Sequence, residues 1–233
     1  MGKWKKWLSA GLFTAMLGTA IIAGPTADVS ANAGNKPYNI ENVSPDAHLA
    51  PSVGDSSSKT SSKAWHKIDG VCYNGSGKKV EGAITRGMDV SEWQGKINWK
   101  EAKKDLDFAF VRISYGTRHL DDYYDYNMTE AEAADVPVGT YVYSLAKTNK
   151  EALAEAQLAI RQMQGHKVSY PVAFDLEDEA TLGTLTRKEI SQIALTFCDE
   201  IRKAGYTPIL YMNLNWYNNF VDWNVLEGSG LDV

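Results

Sequence analysis

Two carboxylates stand close together in the chain, at Asp175 and Glu177. Residues 170–177, YPVAFDLE, are typical of a buried strand, and residues two apart on a strand point to the same face, with Cα atoms about 6.5 Å apart. Carboxylates this near perturb each other, so one tends to ionise while the other keeps its proton. Cleavage of a glycosidic bond needs one carboxyl group in each form. The protonated group gives its proton to the leaving oxygen, and the ionised group stabilises the oxocarbenium-like centre. The alternative is structural: acids at a strand end that cap the next helix or form a salt bridge.

Other polar side chains follow the predicted strands in the same way, and Asp89 adds a third carboxylate at the end of a different strand. The carboxyl ends of parallel strands meet at one rim, which carries the active site in a β/α barrel. Tyr143 and Tyr211, also at strand ends, are candidates for stacking on sugar faces. The strand-end polar residues expected to converge are Asp89, Ser114, Ser144, Asp175, Glu177 and Asn213.

Other kinds of site find no support in the sequence. The four histidines include no pair with the spacing of metal ligands. The chain lacks a G-x-S-x-G nucleophile elbow, and the glycine-rich loops that bind nucleotides are missing from its strands. We therefore predict no metal and no cofactor.

The elements that must position these residues alternate along the chain. Short apolar runs rich in β-branched and aromatic residues are separated by stretches with apolar residues at helical spacing. The runs are GMDVS, FAFVRIS, VGTYVYS, YPVAFDLE and TPILYMN. This alternation predicts parallel strands joined by right-handed crossovers, in an open doubly wound sheet or a barrel. The polar strand ends favour the barrel, so the predicted fold class is α/β, an irregular TIM-like barrel.

Four helices are predicted between the strands. Asn98 and Glu101 have the spacing of a helix start, and Thr186 and Glu189 form a capping box. Gly205 is placed to end the last of these helices. The second and third helices are expected at residues 127–135, stopped by Pro137, and at residues 150–164.

The N-terminal part of the chain differs in composition from the rest. Residues 1–33 combine three lysines, an apolar run and an A-x-A site, as in a secretory signal peptide. An uncleaved membrane anchor is the alternative, although the apolar run is shorter than the roughly 20 residues that span a bilayer. Residues 34–64 are a predicted disordered linker, and residues 65–85 a short pre-domain segment with an Asn74-Gly75 turn signal and a small hairpin. The main domain is expected at residues 86–233.

Composition narrows the range of partners and of redox chemistry. The 233 residues carry a net charge of −5, which becomes −7 once a signal peptide with three lysines and one aspartate is removed. An acidic chain without a Lys/Arg cluster is unsuited to nucleic acid. Export makes a disulfide between Cys72 and Cys198 possible, but their positions favour two unpaired thiols.

Six motifs together resemble glycoside hydrolase family 25, over Arg86 to the end of the chain. They are RGMDVSEWQGKINW, FVRISYG, a D-x-x-Y-x-x-N pattern through Asp121, Tyr124 and Asn127, VGTYVYS, YPVAFDLED and GYTPILYMN. The resemblance implies an N-acetylmuramidase that needs no cofactor and cuts the β-1,4 bond between N-acetylmuramic acid and N-acetylglucosamine in peptidoglycan. It also implies an irregular barrel of parallel and antiparallel strands.

The resemblance assigns roles to individual residues. Glu177 corresponds to the general acid, Asp175 to the residue that orients the substrate's acetamido group, and Asp89 to a third active-site carboxylate. An acetamido group that attacks the anomeric carbon itself would give retention of configuration. Substrate-binding positions are expected at Tyr143, Tyr211, Asn213 and Arg112.

The chain departs from the family pattern at two places. Some members have Lys and Glu where this chain has Arg112 and Tyr115. The family pattern also continues beyond residue 233 with further strands and another acidic position, so a barrel incomplete at its C-terminus is expected. The first strand should then have an unpaired edge, and Met88 and Val90 should lose neighbours.

These observations leave more than one function open. The leading hypothesis is a secreted or cell-wall-associated lysozyme whose partner is peptidoglycan, with membrane contact only through an uncleaved signal segment. A catalytically silent peptidoglycan-binding protein on the same barrel is the first alternative. A metal-dependent deacetylase that acts on the same polymer is the second.

Overall fold

The computed structural model describes residues 66–74 and 77–231, together with the backbone of Ala20–Ala23. The predicted linker lies outside the described residues, as does the predicted signal peptide apart from Ala20–Ala23. The strands are β1 (Ala20–Ala23), β2 (His66–Ile68), β3 (Val71–Tyr73), β4 (Ala83–Val90), β5 (Phe108–Tyr115), β6 (His119–Leu120), β7 (Val138–Tyr143), β8 (Val172–Asp175) and β9 (Pro208–Tyr211).

The five strands predicted from the apolar runs form one parallel sheet in the order β4, β5, β7, β8, β9. The short β6 pairs antiparallel with the end of β5. The sheet curls into a half-barrel, which confirms a mixed α/β fold but not a closed TIM-like barrel. Among the described strands, β9 forms one edge of this sheet and β1 the other.

The first strand is not the open edge that the sequence suggested. β1 pairs antiparallel with β4 from Ala83 to Gly87, so the predicted unpaired edge is absent over this part of the strand as long as residues 20–23 are retained, and removal of residues 1–33 as a signal peptide would expose it. Met88 and Val90 are 9% and 1% exposed in the main core, so they have not lost their neighbours. Both side chains pack on the helix-covered side of the sheet, where closure of the barrel does not affect them.

The described residues form seven α-helices and a short 3-10 helix at Glu92–Gln94, whereas four helices were predicted. The α-helices are α1 (Trp99–Ala102), α2 (Tyr124–Ala133), α3 (Asn149–Met163), α4 (Glu179–Leu182), α5 (Arg187–Lys203), α6 (Leu214–Asn219) and α7 (Trp223–Leu226). The predicted caps of α1 and α5 are present: Asn98 accepts from the Glu101 amide, and Thr186 and Glu189 form the capping box. The second helix begins three residues earlier than predicted, because buried Tyr124 already belongs to its core-facing side.

The half-barrel has a core on each face of the sheet. The larger core lies between the sheet and the helices and includes Val142, Phe174 and Leu210. A smaller layer lines the concave face, with Phe108, Phe110, Ala173 and Ile209 buried and three tyrosines packed against them. Since side chains alternate along a strand, residues in register with this layer also face the concave side.

A small hairpin precedes the domain, as expected, and a turn also begins at Asn74, where the sequence predicted one. β2 and β3 are joined through Asp69 and Gly70, both with positive φ, and Asn74 starts a second turn that ends at a bridge between Tyr73 and Lys79. The hairpin is tied to the domain by the Lys67 Nζ–Asp107 Oδ2 ion pair at 2.9 Å. β4 begins at Ala83, three residues before the predicted domain boundary.

Both cysteines are buried and neither is in a disulfide, which confirms the prediction of unpaired thiols. Among the described residues, no helix has the length and apolar character needed to cross a membrane.

Candidate active site

The concave face of the half-barrel carries a row of side chains at the carboxyl ends of its strands. Tyr115, Tyr143, Asp175 and Tyr211 are in register across β5, β7, β8 and β9. Earlier residues of the same four strands, Phe110, Tyr141, Ala173 and Ile209, belong to the concave layer beneath them. The candidate site is therefore a surface whose floor is apolar and whose rim holds the carboxylates.

Asp175 ends β8 and is 7% exposed. Burial raises the pKa of its carboxyl well above the usual range, the charges of Glu177 and Asp89 raise it further, and Arg112 opposes them. Its Oδ1 atom is buried and accepts no hydrogen bond from the described protein. A buried acceptor without a donor is costly in a folded protein, so this oxygen is available to a ligand N–H or O–H group.

Glu177 lies two residues further along and is partly exposed. The Asn213 side chain donates from Nδ2 to Glu177 Oε2 at 3.2 Å, while Asn213 Oδ1 caps α6 by accepting from the Trp216 amide at 3.1 Å. The helix cap thus fixes the amide that holds the glutamate. Asn213 was predicted to bind substrate, and the structure shows that its amide already contacts Glu177.

Asp178 was missed by the sequence analysis as a site residue. Its Oδ2 atom accepts from the hydroxyl groups of Tyr115 and Tyr143, both at 3.3 Å, and its Oδ1 atom caps α4 through the Thr181 amide at 2.8 Å. The two tyrosine rings are stacked, with centroids 4.9 Å apart and planes inclined by 16°. An aspartate three residues ahead of Thr181 could have been recognised as a helix cap, but its tyrosine contacts depend on the tertiary structure.

Asp89 is partly exposed on β4, and burial raises the pKa of its carboxyl. Tyr141 lies within electrostatic range of both Asp89 and Asp175, and burial raises its pKa well above the usual value, followed by the charge of Asp89. Tyr141 thus stays protonated and can donate a hydrogen bond near the carboxylates. Sequence reasoning also missed this residue, because a tyrosine inside a strand is more often part of a core.

Arg112 was predicted to bind substrate, and it is 6% exposed. Its Nε atom donates to Asp121 Oδ2 at 2.9 Å, and its Nη2 atom lies 3.0 Å from Glu92 Oε1 as an ion pair, without hydrogen-bonding alignment. Glu92 also contacts His119 Nε2 at 2.8 Å. The guanidinium therefore joins the turn after β4 to the β5–β6 hairpin, and its positive charge still reaches Asp175.

The D-x-x-Y-x-x-N motif proves to be a structural support for this rim. Asp121 accepts from Arg112 and from the backbone amides of Glu92 and Tyr123. Asn127 Oδ1 accepts from the indole of Trp99 at 3.1 Å. Burial raises the pKa of Asp121 despite the nearby arginine. These contacts lock the loops beside the candidate site.

Two of the strand-end residues do not converge on the rim, so that part of the prediction is wrong. A bulge between Arg112 and Ser114 shifts the register, so Ser114 pairs with Val142 on the helix side of the sheet and Tyr115 takes the concave side. Ser144 is buried and donates to Glu155 Oε2 on α3 at 2.8 Å. Alternation alone could not have revealed the orientation of Ser114, because a bulge changes which residues share a face, whereas Ser144 follows the ordinary alternation after the concave Tyr143.

The described residues contain no group of three histidine, cysteine, aspartate or glutamate side chains able to hold a metal ion. The chemistry that the site can offer is thus that of a carboxylate pair with a third carboxylate and tyrosine hydroxyls beside it.

A comparison with family models identifies one family. A model described as glycosyl hydrolases family 25 matches residues 88–229. The uncharacterized protein YegX of Escherichia coli K12 is 26% identical over 139 residues, 57% of this chain and 49% of YegX. Lysozyme M1 of Streptomyces globisporus is 38% identical over 60 residues, 25% of this chain and 20% of the lysozyme. The chain thus spans about half the length of YegX and less of the lysozyme.

The fold has solved relatives as well. The modular autolysin LytC of Streptococcus pneumoniae superposes with a TM-score of 0.57 at 23% identity, over 66% of this chain and 39% of LytC. A second LytC structure, in complex with a synthetic peptidoglycan ligand, gives a TM-score of 0.51 at 21% identity, over 65% of this chain and 44% of LytC. At a sequence identity this low, the structural similarity shows a common fold and nothing about function. Since the family model covers Asp89, Asp175 and Glu177 and most of the described domain, the chain belongs to glycosyl hydrolase family 25.

Proposed function

We propose that this protein is a peptidoglycan hydrolase that cleaves the β-1,4 bond between N-acetylmuramic acid and N-acetylglucosamine. The observation that carries the proposal is the pairing of two unlike carboxyl groups, Asp175 buried with an unpartnered oxygen and Glu177 partly exposed beside it. The names of the relatives support the substrate class: one is a lysozyme, one an autolysin, and the autolysin was solved with a synthetic peptidoglycan ligand.

In this proposal Glu177 is the general acid. A general acid must reach the oxygen of the leaving sugar, which lies in the open cleft, and Glu177 is the more exposed member of the pair. The amide of Asn213 holds its carboxyl in place from the α6 side. During bond cleavage the Glu177 proton moves to the glycosidic oxygen, and the bond between that oxygen and the anomeric carbon breaks.

Asp175 binds the acetamido group of the sugar. Its free Oδ1 oxygen accepts the amide N–H, which orients the acetamido oxygen toward the anomeric carbon. That oxygen forms the new bond as the glycosidic bond breaks, and the Asp175 anion stabilises the positive charge that the ring thereby acquires. Water then opens this intermediate and transfers a proton to Glu177, so the product keeps the β configuration.

In this proposal, substrate binding also changes the protonation of Asp175. Burial and the neighbouring carboxylates favour the protonated form of Asp175 in the free protein, because they raise its pKa. An amide N–H that donates to Asp175 favours its ionised form instead. Substrate binding therefore favours loss of the Asp175 proton, which leaves the anion that the proposed mechanism needs.

The proposed function also implies where the protein acts. Peptidoglycan lies outside the cytoplasmic membrane, and residues 1–33 read as a signal peptide that would export the chain. The proposed protein is accordingly secreted or associated with the cell wall.

The test compares Glu177→Gln with the matched control Glu179→Gln, an exposed acid at the start of α4. Release of reducing sugar from purified peptidoglycan should fall about 10²- to 10⁴-fold in the first variant and stay near the parent level in the second. NMR of the parent reaction should show the β anomer first. If Glu177→Gln still hydrolyses peptidoglycan at the parent rate, Glu177 is not the general acid. If the α anomer forms first, the acetamido mechanism is ruled out. Binding of peptidoglycan without any cleavage by the parent would favour the silent binding protein.

A further inference from the structure

We propose that Tyr115 and Tyr143, tethered together by Asp178, form a stacking wall for a sugar ring that lies beyond the bond being cleaved. The inference rests on the proposed function, and it assigns to these residues a preference for longer glycan chains.

The wall is built by the bulge in β5. The register shift between Arg112 and Ser114 turns Tyr115 to the concave side, in register with Tyr143 and Asp175. Neighbouring strands are about 4.8 Å apart, so the backbone of Tyr115 lies about 10 Å from the backbone of Asp175 along the rim. A group at that distance meets a neighbouring sugar of the polymer rather than the one whose bond is cut.

One face of the wall remains available. Tyr143 is partly buried, and its ring is covered by Tyr115 on one side. Tyr115 is 38% exposed, although one of its faces is stacked against Tyr143. Aromatic faces of this kind pack against the C–H groups of a sugar ring, and the rigid ring loses little conformational freedom on binding.

Asp178 keeps the wall in one orientation. Its Oδ2 atom accepts from both hydroxyl groups, and its Oδ1 atom is fixed by the cap of α4. Burial raises the pKa of both tyrosines and the charge of Asp178 raises it further, so both hydroxyls remain protonated donors. A surface that is ordered before the ligand arrives pays less entropy on binding.

The test measures binding apart from catalysis. In the full chain that carries Glu177→Gln, calorimetry with the N-acetylglucosamine disaccharide and tetrasaccharide should show tighter binding of the tetrasaccharide. Tyr115→Ala should weaken tetrasaccharide binding about 2- to 10-fold, the equivalent of roughly 0.5–1.5 kcal/mol for an aromatic contact, and leave disaccharide binding unchanged. Tyr73→Ala, in the hairpin at the other end of the domain, is the control and should change neither.

A second variant separates the tether from the helix cap. Asp178→Asn keeps an oxygen for the Thr181 amide, because Asn caps helices as well as Asp does, but it replaces the oxygen that accepts the tyrosine hydroxyls. We expect it to reduce only tetrasaccharide binding, with unchanged thermal stability. The proposed stacking wall is wrong if the parent binds both sugars with equal affinity. It is also wrong if Tyr115→Ala weakens the binding of both sugars equally. If wild-type protein lacks hydrolytic activity while the length effect persists, the proposed hydrolase fails and the wall stands.

Discussion

At the scale of single residues, the candidate site is a balance of charges around Asp175. Glu177 and Asp89 raise the pKa of this buried carboxyl, and Arg112 lowers it. The positive charge of Arg112 is shared with Asp121 and Glu92, which contact the guanidinium directly. These influences favour the protonated form of Asp175, whereas a ligand N–H group or a rise in pH favours the anion.

This balance predicts the effect of Asp89→Asn on the pH dependence of hydrolysis. The negative charge of Asp89 disfavours ionisation of Asp175, so its removal lowers the pKa of the Asp175 carboxyl. If Asp175 must be ionised to hold the acetamido group, the acidic limb of the kcat/KM profile should move to lower pH, whatever happens to the maximal rate. Asp199→Asn, on the outer helix α5, is the control. An acidic limb that keeps its position in Asp89→Asn would contradict the proposed role of the pair.

At the scale of elements, helix α3 is joined to the loop after β7 by a buried acid. Glu155 is 2% exposed and accepts from Ser144 Oγ at 2.8 Å and from the Leu145 amide at 3.0 Å. Burial raises its pKa from 4.5 to about 7, although both hydrogen bonds oppose that rise. The loop that follows Tyr143 is thereby attached to a helix through a group that titrates near neutral pH.

Glu155 should make the stability of the protein depend on pH. Its folded-state pKa is above the unfolded one, so its stabilising contribution is complete below pH 4.5 and is lost as pH rises through about 7. The free energy of unfolding should fall by up to about 3 kcal/mol over that interval from this group. Glu155→Gln, whose amide can still accept from Leu145 and donate to Ser144, should remove that part of the slope and be more stable than the parent above pH 7.

Urea unfolding between pH 4 and 8 is the measurement for Glu155. Glu130→Gln, at an exposed position of α2, is the matched control and should keep the parent's slope. The same slope in Glu155→Gln as in the parent would show that the buried acid does not titrate in this range.

At the scale of the whole molecule, two glycines allow the sheet to carry a packed layer on its concave face. A Cβ atom at Gly87 would lie 2.1 Å from the ring of Phe108, and one at Gly139 would lie 2.5 Å from the Pro171 carbonyl and 2.7 Å from the ring of Phe110. Phe108 itself stacks on Tyr170, with centroids 4.9 Å apart. The floor of the candidate site therefore depends on the absence of side chains at these two positions.

Gly139→Ala should destabilise the domain. The added methyl group meets backbone as well as a ring, so the strand or the loop before β8 must move, at a cost of about 1–3 kcal/mol. We expect a lower urea midpoint with an unchanged m-value. Ala133→Ser, which adds one heavy atom at an exposed site of α2, should shift the midpoint little. An unaltered urea midpoint in Gly139→Ala would mean that the concave layer can accommodate the added methyl group without strain.

The sequence by itself determined the order of the elements and the principal pair of carboxylates. The apolar runs predicted all five parallel strands, because buried strands need continuous apolar segments. The caps at Asn98 and Thr186 located two helix starts, because the hydrogen bonds of a cap are local in the chain. Asp175 and Glu177 were found from their spacing and from the motifs around them. All these signals depend on residues that are near each other in sequence.

The tertiary structure alone decided which side chains share the rim and what they contact. The bulge in β5 placed Ser114 in the core and Tyr115 on the concave face, against the alternation that the sequence suggested. Asp178 was brought to Tyr115 and Tyr143, which are 63 and 35 residues away in the chain. Strand register and long-range contacts depend on the packing of the whole sheet, so they cannot be predicted from a local sequence pattern.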